Sequence, residues 1–172
     1  MFKFQYYKFR PFRFLPLKGV GAEVGVYRGD FSITLLKKKN VNKMYLVDPY
    51  RYENVPQMEQ DALNKAKERA VSRTRGMQHK VTWLLMPSHE AASKIPEKLD
   101  FCYIDGDHSY EGVKKDLADY YPLVKPGGYF GGHDFHYDWP GVIKAVSEFA
   151  VNNGLALKVE SPDWWFVIDE KK

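Results

Sequence analysis

Six ionisable side chains follow two apolar runs of this sequence at short intervals. In chain order they are Asp105, Asp107, His108, His133, Asp134 and His136. Carboxylates bind cations or accept hydrogen bonds, and histidine titrates near neutral pH and can remove a proton from a hydroxyl group. A single acid after a strand often only caps the next helix, which is the alternative explanation for Asp107 and Ser109. Six such groups exceed what capping requires and therefore favour a chemical site.

The segment 99–135 that carries these groups has the pattern of a strand, a helix and a second strand. Residues 101–104 are apolar without alternation, which is typical of a strand covered on both faces. Ser109 is placed to cap the helix that follows. Because a strand–helix–strand unit makes its two strands parallel, Asp105 and Asp134 should emerge at the same carboxyl edge of one sheet. Open α/β sheets bind their ligands at that edge.

The alternation of strands and helices extends along the chain and predicts the fold class. Five such units precede two final strands, expected near 155–159 and 164–168 and joined by a short turn. This order predicts an α/β fold with a doubly wound, mostly parallel, seven-stranded sheet. The final pair should form an antiparallel C-terminal hairpin, since a parallel pair needs a crossover of about a dozen residues or more.

Three element boundaries follow from local signals. The first strand is expected over 20–26, with Asp30 capping the helix after it. A long helix is expected over 57–75 and should end at Gly76. Its apolar face consists of Met58, Ala62, Leu63, Ala66 and Ala70.

The 172 residues are expected to form a single domain, residues 1–172, that begins with a basic aromatic arm at residues 1–18. Cys102 falls inside a predicted buried strand and is expected to be a core side chain. No apolar run approaches the roughly 20 residues of a membrane span, and no signal peptide is recognisable, so a cytoplasmic protein without a membrane span is expected.

The arm interleaves aromatic residues with lysine and arginine in a chain of net charge +4. Such a pattern can bind nucleic acid through phosphate contacts and base stacking. Alternatively, the rings pack on the domain or on a second subunit and leave the charges in water. We favour packing, because the rest of the chain carries no matching basic stripe.

A glycine-containing turn after the first strand distinguishes between cofactor classes. The spacing of Gly21, Gly25 and Gly29 does not match the G-x-G-x-x-G pattern of dinucleotide-binding loops. Glu23 would repel a pyrophosphate, whereas it would attract a ligand with ammonium and sulfonium groups. Asp48, at the end of the second strand, can accept hydrogen bonds from two ribose hydroxyls. A cationic nucleoside therefore fits this loop better than a dinucleotide.

Three motifs occur in order along the chain: GAEVGVYRGDFS, LVDPY and FCYIDGDHSYEGVKKDLADYYPLVKPGGYFGGHDF. Together they resemble the class I S-adenosylmethionine-dependent methyltransferases, over about residues 20–169. More narrowly, they are similar to the small-molecule branch that includes the macrocin-type sugar O-methyltransferases. The resemblance implies the Rossmann-like methyltransferase fold, S-adenosylmethionine as cofactor, and O-methylation of a hydroxyl on a small molecule or sugar.

The resemblance also assigns roles to individual residues. The implied cofactor-binding residues are Glu23, Gly25, Val26, Tyr27, Gly29, Asp48, Pro49, Ser88 and Asp105. The implied catalytic residues are Asp105, which faces the methyl group, and His108, a general base. The implied ligands of Mg²⁺ are Asp105 and Asp134, beside His133 where many relatives have a second acid.

Three alternatives stay open for activation of the acceptor hydroxyl. In the favoured one, His108 removes the proton and Mg²⁺ is optional. In the second, Mg²⁺ on Asp105 and Asp134 acidifies the hydroxyl and His108 is structural. In the third, His133 and His136 bind a transition metal.

Two other functions stay open beside methylation of a small molecule. One is a nucleic-acid methyltransferase or binder that uses the basic aromatic arm, and the other is a cofactor-binding module without catalysis. The strands are followed by few insertions that could build an acceptor pocket. A second subunit would then complete that pocket, so that a homodimer is expected.

Overall fold

The computed structural model describes residues 10–51 and 55–169, which contain one seven-stranded sheet. The strands are β1 (Gly19–Val24), β2 (Val41–Val47), β3 (Val81–Leu84), β4 (Leu99–Ile104), β5 (Val124–Gly132), β6 (Lys158–Glu160) and β7 (Asp163–Val167). Their order across the sheet is β3-β2-β1-β4-β5-β7-β6. The first five strands are mutually parallel, and β7 is antiparallel to both β5 and β6. The predicted fold class, including the antiparallel C-terminal hairpin, is confirmed.

Helices cover both faces of the sheet and bury one apolar layer on each. The α-helices of the described residues are α1 (Asp30–Leu36), α2 (Gln57–Thr74), α3 (Ser88–Ala92), α4 (Tyr110–Tyr120) and α5 (Pro140–Asn153). One buried cluster joins α3, α4 and α5 to the sheet, and the other joins α1, α2 and Phe12 to it. Successive residues of β4 alternate between the two clusters, since Tyr103 lies in one and Cys102 in the other.

Several local signals act as predicted. The Ser109 hydroxyl caps α4 by accepting the Gly112 N–H at 3.1 Å. Pro140 is the first residue of α5, and Gly154 ends that helix with a φ of +61°. Cys102 is buried and unpaired. Within the described ranges, no helix combines the length and the apolar character that crossing a membrane requires.

Two element boundaries predicted near the first glycine turn are wrong. β1 ends at Val24, two residues early, because Gly25 turns the chain with a φ of +88°. Asp30 does not cap α1, because the cap position belongs to Gly29, which has left-handed backbone angles. The Asp30 carboxylate instead forms an ion pair with Arg73, at 2.8 Å.

The hairpin and the long helix also differ from the prediction in detail. The first hairpin strand is shorter than predicted and lies at 158–160, and the second keeps its length but lies one residue earlier, at 163–167. Only Ala66 and Ala70 of the predicted α2 face are buried, whereas Met58 is 80% exposed. The C-terminal half of α2 packs closely on the turn before α1, while Leu63 in its first half lines a cavity at the sheet edge. An apolar periodicity cannot distinguish contact with a core from contact with a cavity.

The described end of the arm is anchored in the domain by Asp163 of β7. The Asp163 carboxylate accepts the backbone N–H of Phe12 at 2.8 Å and the hydroxyl of Tyr103 at 2.7 Å. The Phe12 ring is fully buried, with its centroid 5.0 Å from that of Tyr103. Residues 1–9 of the predicted arm lie outside the described residues.

We expect Asp163→Ala to lower the free energy of unfolding by about 2–4 kcal/mol, because it leaves two buried donors without their acceptor. Denaturant unfolding followed by circular dichroism measures this change. Asp61→Ala is the matched control, since Asp61 is exposed and bonds only Gln57 on its own helix, and it should change stability by less than about 0.5 kcal/mol. Equal stability of the two variants would contradict the anchoring role.

Candidate active site

A cavity of about 470 Å³ opens at the carboxyl edge of the sheet, within the range typical of small-molecule sites. The predicted site residues that line it are Glu23, Gly25, Val26, Tyr27, Asp48, Asp105, His108 and Asp134. Gly29, Pro49 and Ser88 are not among its lining residues. The parallel strands thus bring most of the predicted cofactor and catalytic residues to one place.

Backbone turns with positive φ shape the wall that follows β1. Gly25 has a φ of +88°, and a side chain there would collide with the backbone of Asp105. Tyr27, with a φ of +48°, directs its N–H to the Asp48 carboxylate at 2.8 Å. Gly29, which has a φ of +70°, packs against Ala70 of α2, because it has no side chain to keep the two backbones apart.

Glu23 is a buried carboxyl group without a hydrogen-bond partner for one of its oxygens. Its side chain lines the cavity, the residue is 1% exposed, and Oε2 has no partner among the described residues. Burial raises the pKa of Glu23 to about 8, so that the group is mostly protonated at neutral pH. Such a carboxyl group is suited to a cationic ligand that would favour its ionised form.

Asp48 is also buried, but it is held in place by backbone donors. It accepts the N–H of Tyr27 at 2.8 Å and the N–H of Tyr50 at 2.9 Å, one on each oxygen. Burial outweighs these hydrogen bonds and raises the pKa of Asp48. Each carboxylate oxygen keeps a second acceptor position, which suits the vicinal hydroxyls of a ribose. Glu23 is thus suited to the positive charge of S-adenosylmethionine, and Asp48 is suited to its ribose.

Asp105, His108 and Asp134 meet where β4 and β5 end. His108 Nε2 lies 2.5 Å from Asp134 Oδ2 and 3.7 Å from Asp105 Oδ1. His133 Nδ1 approaches the other oxygen of Asp134, at 3.0 Å. Asp134 holds this position with a φ of +62°, which is strained for a residue other than glycine. The strand ends therefore create a compact His–Asp pair with a second carboxylate beside it.

The carboxylates and the imidazoles of this group shift one another's pKa. Burial lowers the pKa of His108, but the carboxylates of Asp105 and Asp134 outweigh it and raise that pKa to about 9. Burial raises the pKa of Asp134, but His108 and His133 outweigh it and hold that pKa well below its usual value. At neutral pH, His108 is therefore an imidazolium paired with ionised Asp134.

Two residues that the sequence interpretation did not assign also belong to the site. Trp139 stacks on His108, with ring centroids 4.5 Å apart. Arg10 lines the cavity and forms an ion pair with Asp105, its Nη1 2.6 Å from Oδ2. The only sequence signals were the aromatic residues shortly after Asp134 and the basic residues of the arm, and neither identifies one particular side chain.

Three of the predicted residues are engaged elsewhere. Ser88 donates a hydrogen bond to Asp116 at 2.6 Å, so its hydroxyl is already used outside the cavity. Asp107 accepts the N–H of Ser109 at 2.8 Å and belongs to the turn before α4, in agreement with the capping explanation. His136 packs against Tyr137 and is not among the residues that line the cavity.

One group of side chains in the described ranges has the spacing of metal ligands, namely Asp105, His108 and Asp134. Two of its four carboxylate oxygens are already engaged, however, because Arg10 pairs with Oδ2 of Asp105 and His108 Nε2 lies against Oδ2 of Asp134. Mg²⁺ prefers a shell of oxygen ligands, and a charged imidazole offers it no lone pair. The group as arranged does not fit Mg²⁺. Within the described ranges, neither His133 nor His136 belongs to a group with the spacing of transition-metal ligands.

Comparison with known proteins places this site in a family. The family model described as "Methyltransferase domain" matches residues 22–135. A curated relative, an uncharacterised protein of Acanthamoeba polyphaga mimivirus, is 26% identical over an alignment of 138 residues, and the match covers 76% of this chain. The chain spans 59% of the length of that relative.

Two solved structures are similar to this chain in fold. The O-methyltransferase NovP matches with a TM-score of 0.68 and 20% identity, over 90% of this chain and 73% of NovP. CalS11, a TDP-rhamnose 3'-O-methyltransferase of calicheamicin biosynthesis, matches with a TM-score of 0.60 and 15% identity, over 88% of this chain and 72% of CalS11. At these identities the likeness concerns the fold.

The residues matched by the family model run from the residue before Glu23 to the residue after Asp134. They include Glu23, Asp48 and the Asp105–His108–Asp134 group, whereas Arg10 and Trp139 lie outside the match. The mostly parallel sheet with its antiparallel C-terminal hairpin agrees with the likeness to these solved folds. The chain therefore belongs to the methyltransferase-domain family and has the fold of the class I S-adenosylmethionine-dependent methyltransferases.

Proposed function

We propose that this protein is an S-adenosylmethionine-dependent O-methyltransferase that methylates a hydroxyl group of a small molecule, with sugars as the acceptor class. The observation that carries the proposal is the His108–Asp134 pair in the same cavity as Glu23 and Asp48. NovP and CalS11 are both O-methyltransferases, and CalS11 acts on a TDP-sugar, which supports the acceptor class.

The wall formed by Glu23 and Asp48 would hold the methyl donor. S-adenosylmethionine would supply an electrophilic methyl group on its sulfonium. Ionised Glu23 would neutralise the positive charge of the donor, and Asp48 would accept hydrogen bonds from its ribose. The backbone of the turn at Gly25, Val26 and Tyr27 would enclose its methionine part, and Gly29 would keep that turn in place. Pro49 stays a proposed contact at the end of β2, and Ser88 would have to leave Asp116 to reach an adenine.

The His108–Asp134 pair would remove the proton from the acceptor. Asp134 accepts the Nε2–H of His108, and the described residues give Nδ1 no partner. Nδ1 is therefore the atom that would take the proton of the acceptor hydroxyl, while Asp134 holds the ring in place. Because His108 is charged at neutral pH, it has to lose a proton before it can act as a base. The remaining work of the site is to align the hydroxyl with the methyl group.

Nucleic acid is the less favoured acceptor. Of the basic aromatic arm, Arg10 is paired with Asp105 and Phe12 is buried in the core, so neither side chain is available to phosphates or bases. No contact or charge pattern among the described residues specifically favours nucleic acid as the acceptor. A second subunit that completes the acceptor pocket stays a prediction.

Binding of the donor should depend on the ionisation of Glu23. Because the pKa of Glu23 is about 8, a cationic ligand that lowers it releases a proton, so affinity should rise with pH up to about 8 and then level off. Calorimetry with S-adenosylmethionine in two buffers of different ionisation enthalpy measures that proton. Glu23→Gln should abolish the release and weaken binding by about tenfold to a hundredfold.

Glu111→Gln is the matched control, because Glu111 is an exposed glutamate in the first turn of α4. It should leave affinity and proton release unchanged. Asp48→Asn should weaken S-adenosylmethionine and S-adenosylhomocysteine alike, since both carry the ribose. Preferential binding of NAD, or equal affinity of the Glu23→Gln variant and the unaltered protein, would refute the assignment of this wall.

Methyl transfer should become faster as the pH rises from 7 to 9. At saturating donor, kcat/KM for the acceptor should follow the deprotonation of His108, whose pKa is about 9. His108→Ala should lower turnover by about a hundredfold or more and remove this pH dependence. Asp134→Asn should move the midpoint to lower pH, because the imidazolium loses its ionic partner.

His89→Ala is the control for these histidine measurements, since His89 is half exposed on α3 and approaches only Glu90. It should reproduce the original pH profile. A His108→Ala variant that keeps both its rate and its pH profile would exclude His108 as the base.

The acceptor class is tested by transfer of a deuterated methyl group followed by mass spectrometry. The panel contains nucleotide sugars, free sugars, simple alcohols, and RNA and DNA at low salt. We expect label on a sugar hydroxyl and none on nucleic acid. Label only on RNA or DNA would favour the nucleic-acid alternative. Donor binding without methyl transfer to any member of the panel or to any compound in host extracts would indicate a binding module.

A further inference from the structure

A partly buried cation, Arg10, lies beside the carboxylates of the proposed catalytic group. Its Nη1 lies 2.6 Å from Asp105 Oδ2 and 3.0 Å from the Tyr103 hydroxyl. The guanidinium also lies over the Phe31 ring, 5.1 Å from its centroid. Phe12, two residues further on, is fully buried and fixes the segment. This side chain is therefore held at one position by contacts on several sides.

Arg10 and His108 occupy positions beside Asp105 and Asp134 that a divalent ion bound by these carboxylates would need. Arg10 faces Oδ2 of Asp105, and His108 Nε2 lies between Oδ1 of Asp105 and Oδ2 of Asp134. His133 Nδ1 lies 3.0 Å from Oδ1 of Asp134, although that oxygen accepts no hydrogen bond within the described residues. Arg10 on Asp105 and His108 on Asp134 thus each occupy one carboxylate oxygen. A divalent ion at this point would have to displace a guanidinium that lies over two aromatic rings.

We propose that Arg10 takes the place of a divalent metal ion in this site: it supplies the fixed positive charge at Asp105 and closes the Asp105–His108–Asp134 group to Mg²⁺. Arg10 is then a positioning residue, which acts on the acceptor through Asp105 and His108. The guanidinium occupies Oδ2 of Asp105, and His108 Nε2 lies against Oδ2 of Asp134. The N-terminal segment that carries it is, by this inference, part of the active site.

The proposal predicts that removing the charge of Arg10 creates a metal site. Free Mn²⁺, which substitutes for Mg²⁺ at oxygen-rich sites, is measured by electron paramagnetic resonance against the full chain without donor or acceptor. The unaltered protein should bind no Mn²⁺ with a Kd below about 1 mM. Arg10→Gln should bind Mn²⁺ at least about tenfold more tightly, because a cation that repels the ion has gone. Adding Asp134→Asn to Arg10→Gln should abolish that gain.

Two further variants separate charge from structure. Arg10→Lys keeps the positive charge and should exclude Mn²⁺ as the unaltered protein does. Arg13→Gln is the matched control, because Arg13 lies on the same segment and stacks on Phe14, away from the cavity. It should leave Mn²⁺ binding unchanged. Circular dichroism and binding of S-adenosylhomocysteine show that each variant is folded.

The proposal is overturned if the unaltered protein binds Mn²⁺ with a Kd below about 1 mM and Asp134→Asn abolishes that binding. It is also overturned if folded Arg10→Gln binds Mn²⁺ no better than the unaltered protein. The first measurement needs no variant, so a failure of Arg10→Gln to fold leaves the proposal testable. The site is interpreted through the proposed function, but Mn²⁺ binding needs neither donor nor acceptor. Absence of methyl transfer would therefore refute the function without changing this result.

Discussion

The site depends on the neutralisation of two carboxylates that the sheet forces together. β4 and β5 are parallel neighbours, so Asp105 and Asp134 emerge side by side, with Asp134 only 4% exposed. Two buried like charges would disfavour ionisation of one another and destabilise the fold. Here His108 lies between them, and Arg10 covers the outer side of Asp105. The same ion pairs that stabilise this end of the sheet also orient the proposed base.

This requirement connects the two ends of the chain. Arg10 reaches Asp105 because Phe12 is fixed by Asp163, a residue of the hairpin strand β7 that lies next to β5. The Tyr103 hydroxyl accepts a hydrogen bond from Arg10 and donates one to Asp163. It thereby connects the Arg10–Asp105 ion pair to the carboxylate that anchors Phe12. An edge hairpin that contributes no side chain to the cavity wall therefore still determines where the arginine lies. Changes in the hairpin can alter the site without touching it.

The carboxyl groups of the cavity serve different purposes because their surroundings differ. Asp105 and Asp134 are paired with cations inside the protein. Glu23 has no such partner, and its raised pKa keeps it mostly neutral until a cation arrives. The protein thus avoids burying an unpaired charge, while it keeps a group that ionises against a sulfonium ligand. The wall that contains Glu23 can ionise against a cationic ligand, whereas the negative charges of Asp105 and Asp134 are already paired with cationic side chains.

The order of the elements and the positions of the strand-end carboxylates could be predicted from the amino-acid sequence. Apolar runs, caps such as Ser109 and the short final connection are local signals, and parallel strands must end at a common edge. Motif spacing, strand order and the family resemblance were therefore sufficient to assign to one site five of the side chains that line the cavity, namely Glu23, Asp48, Asp105, His108 and Asp134.

The partner that each side chain takes became visible only in the assembled fold. Arg10 pairs with a residue 95 positions away, Ser88 turns to Asp116, and the apolar stripe of α2 divides between core and cavity. Local patterns indicate whether a side chain is buried, but the choice of a long-range partner depends on charge balance and space in the assembled fold. For the same reason, sequence patterns did not reveal that Asp105, an expected metal ligand, pairs with an arginine.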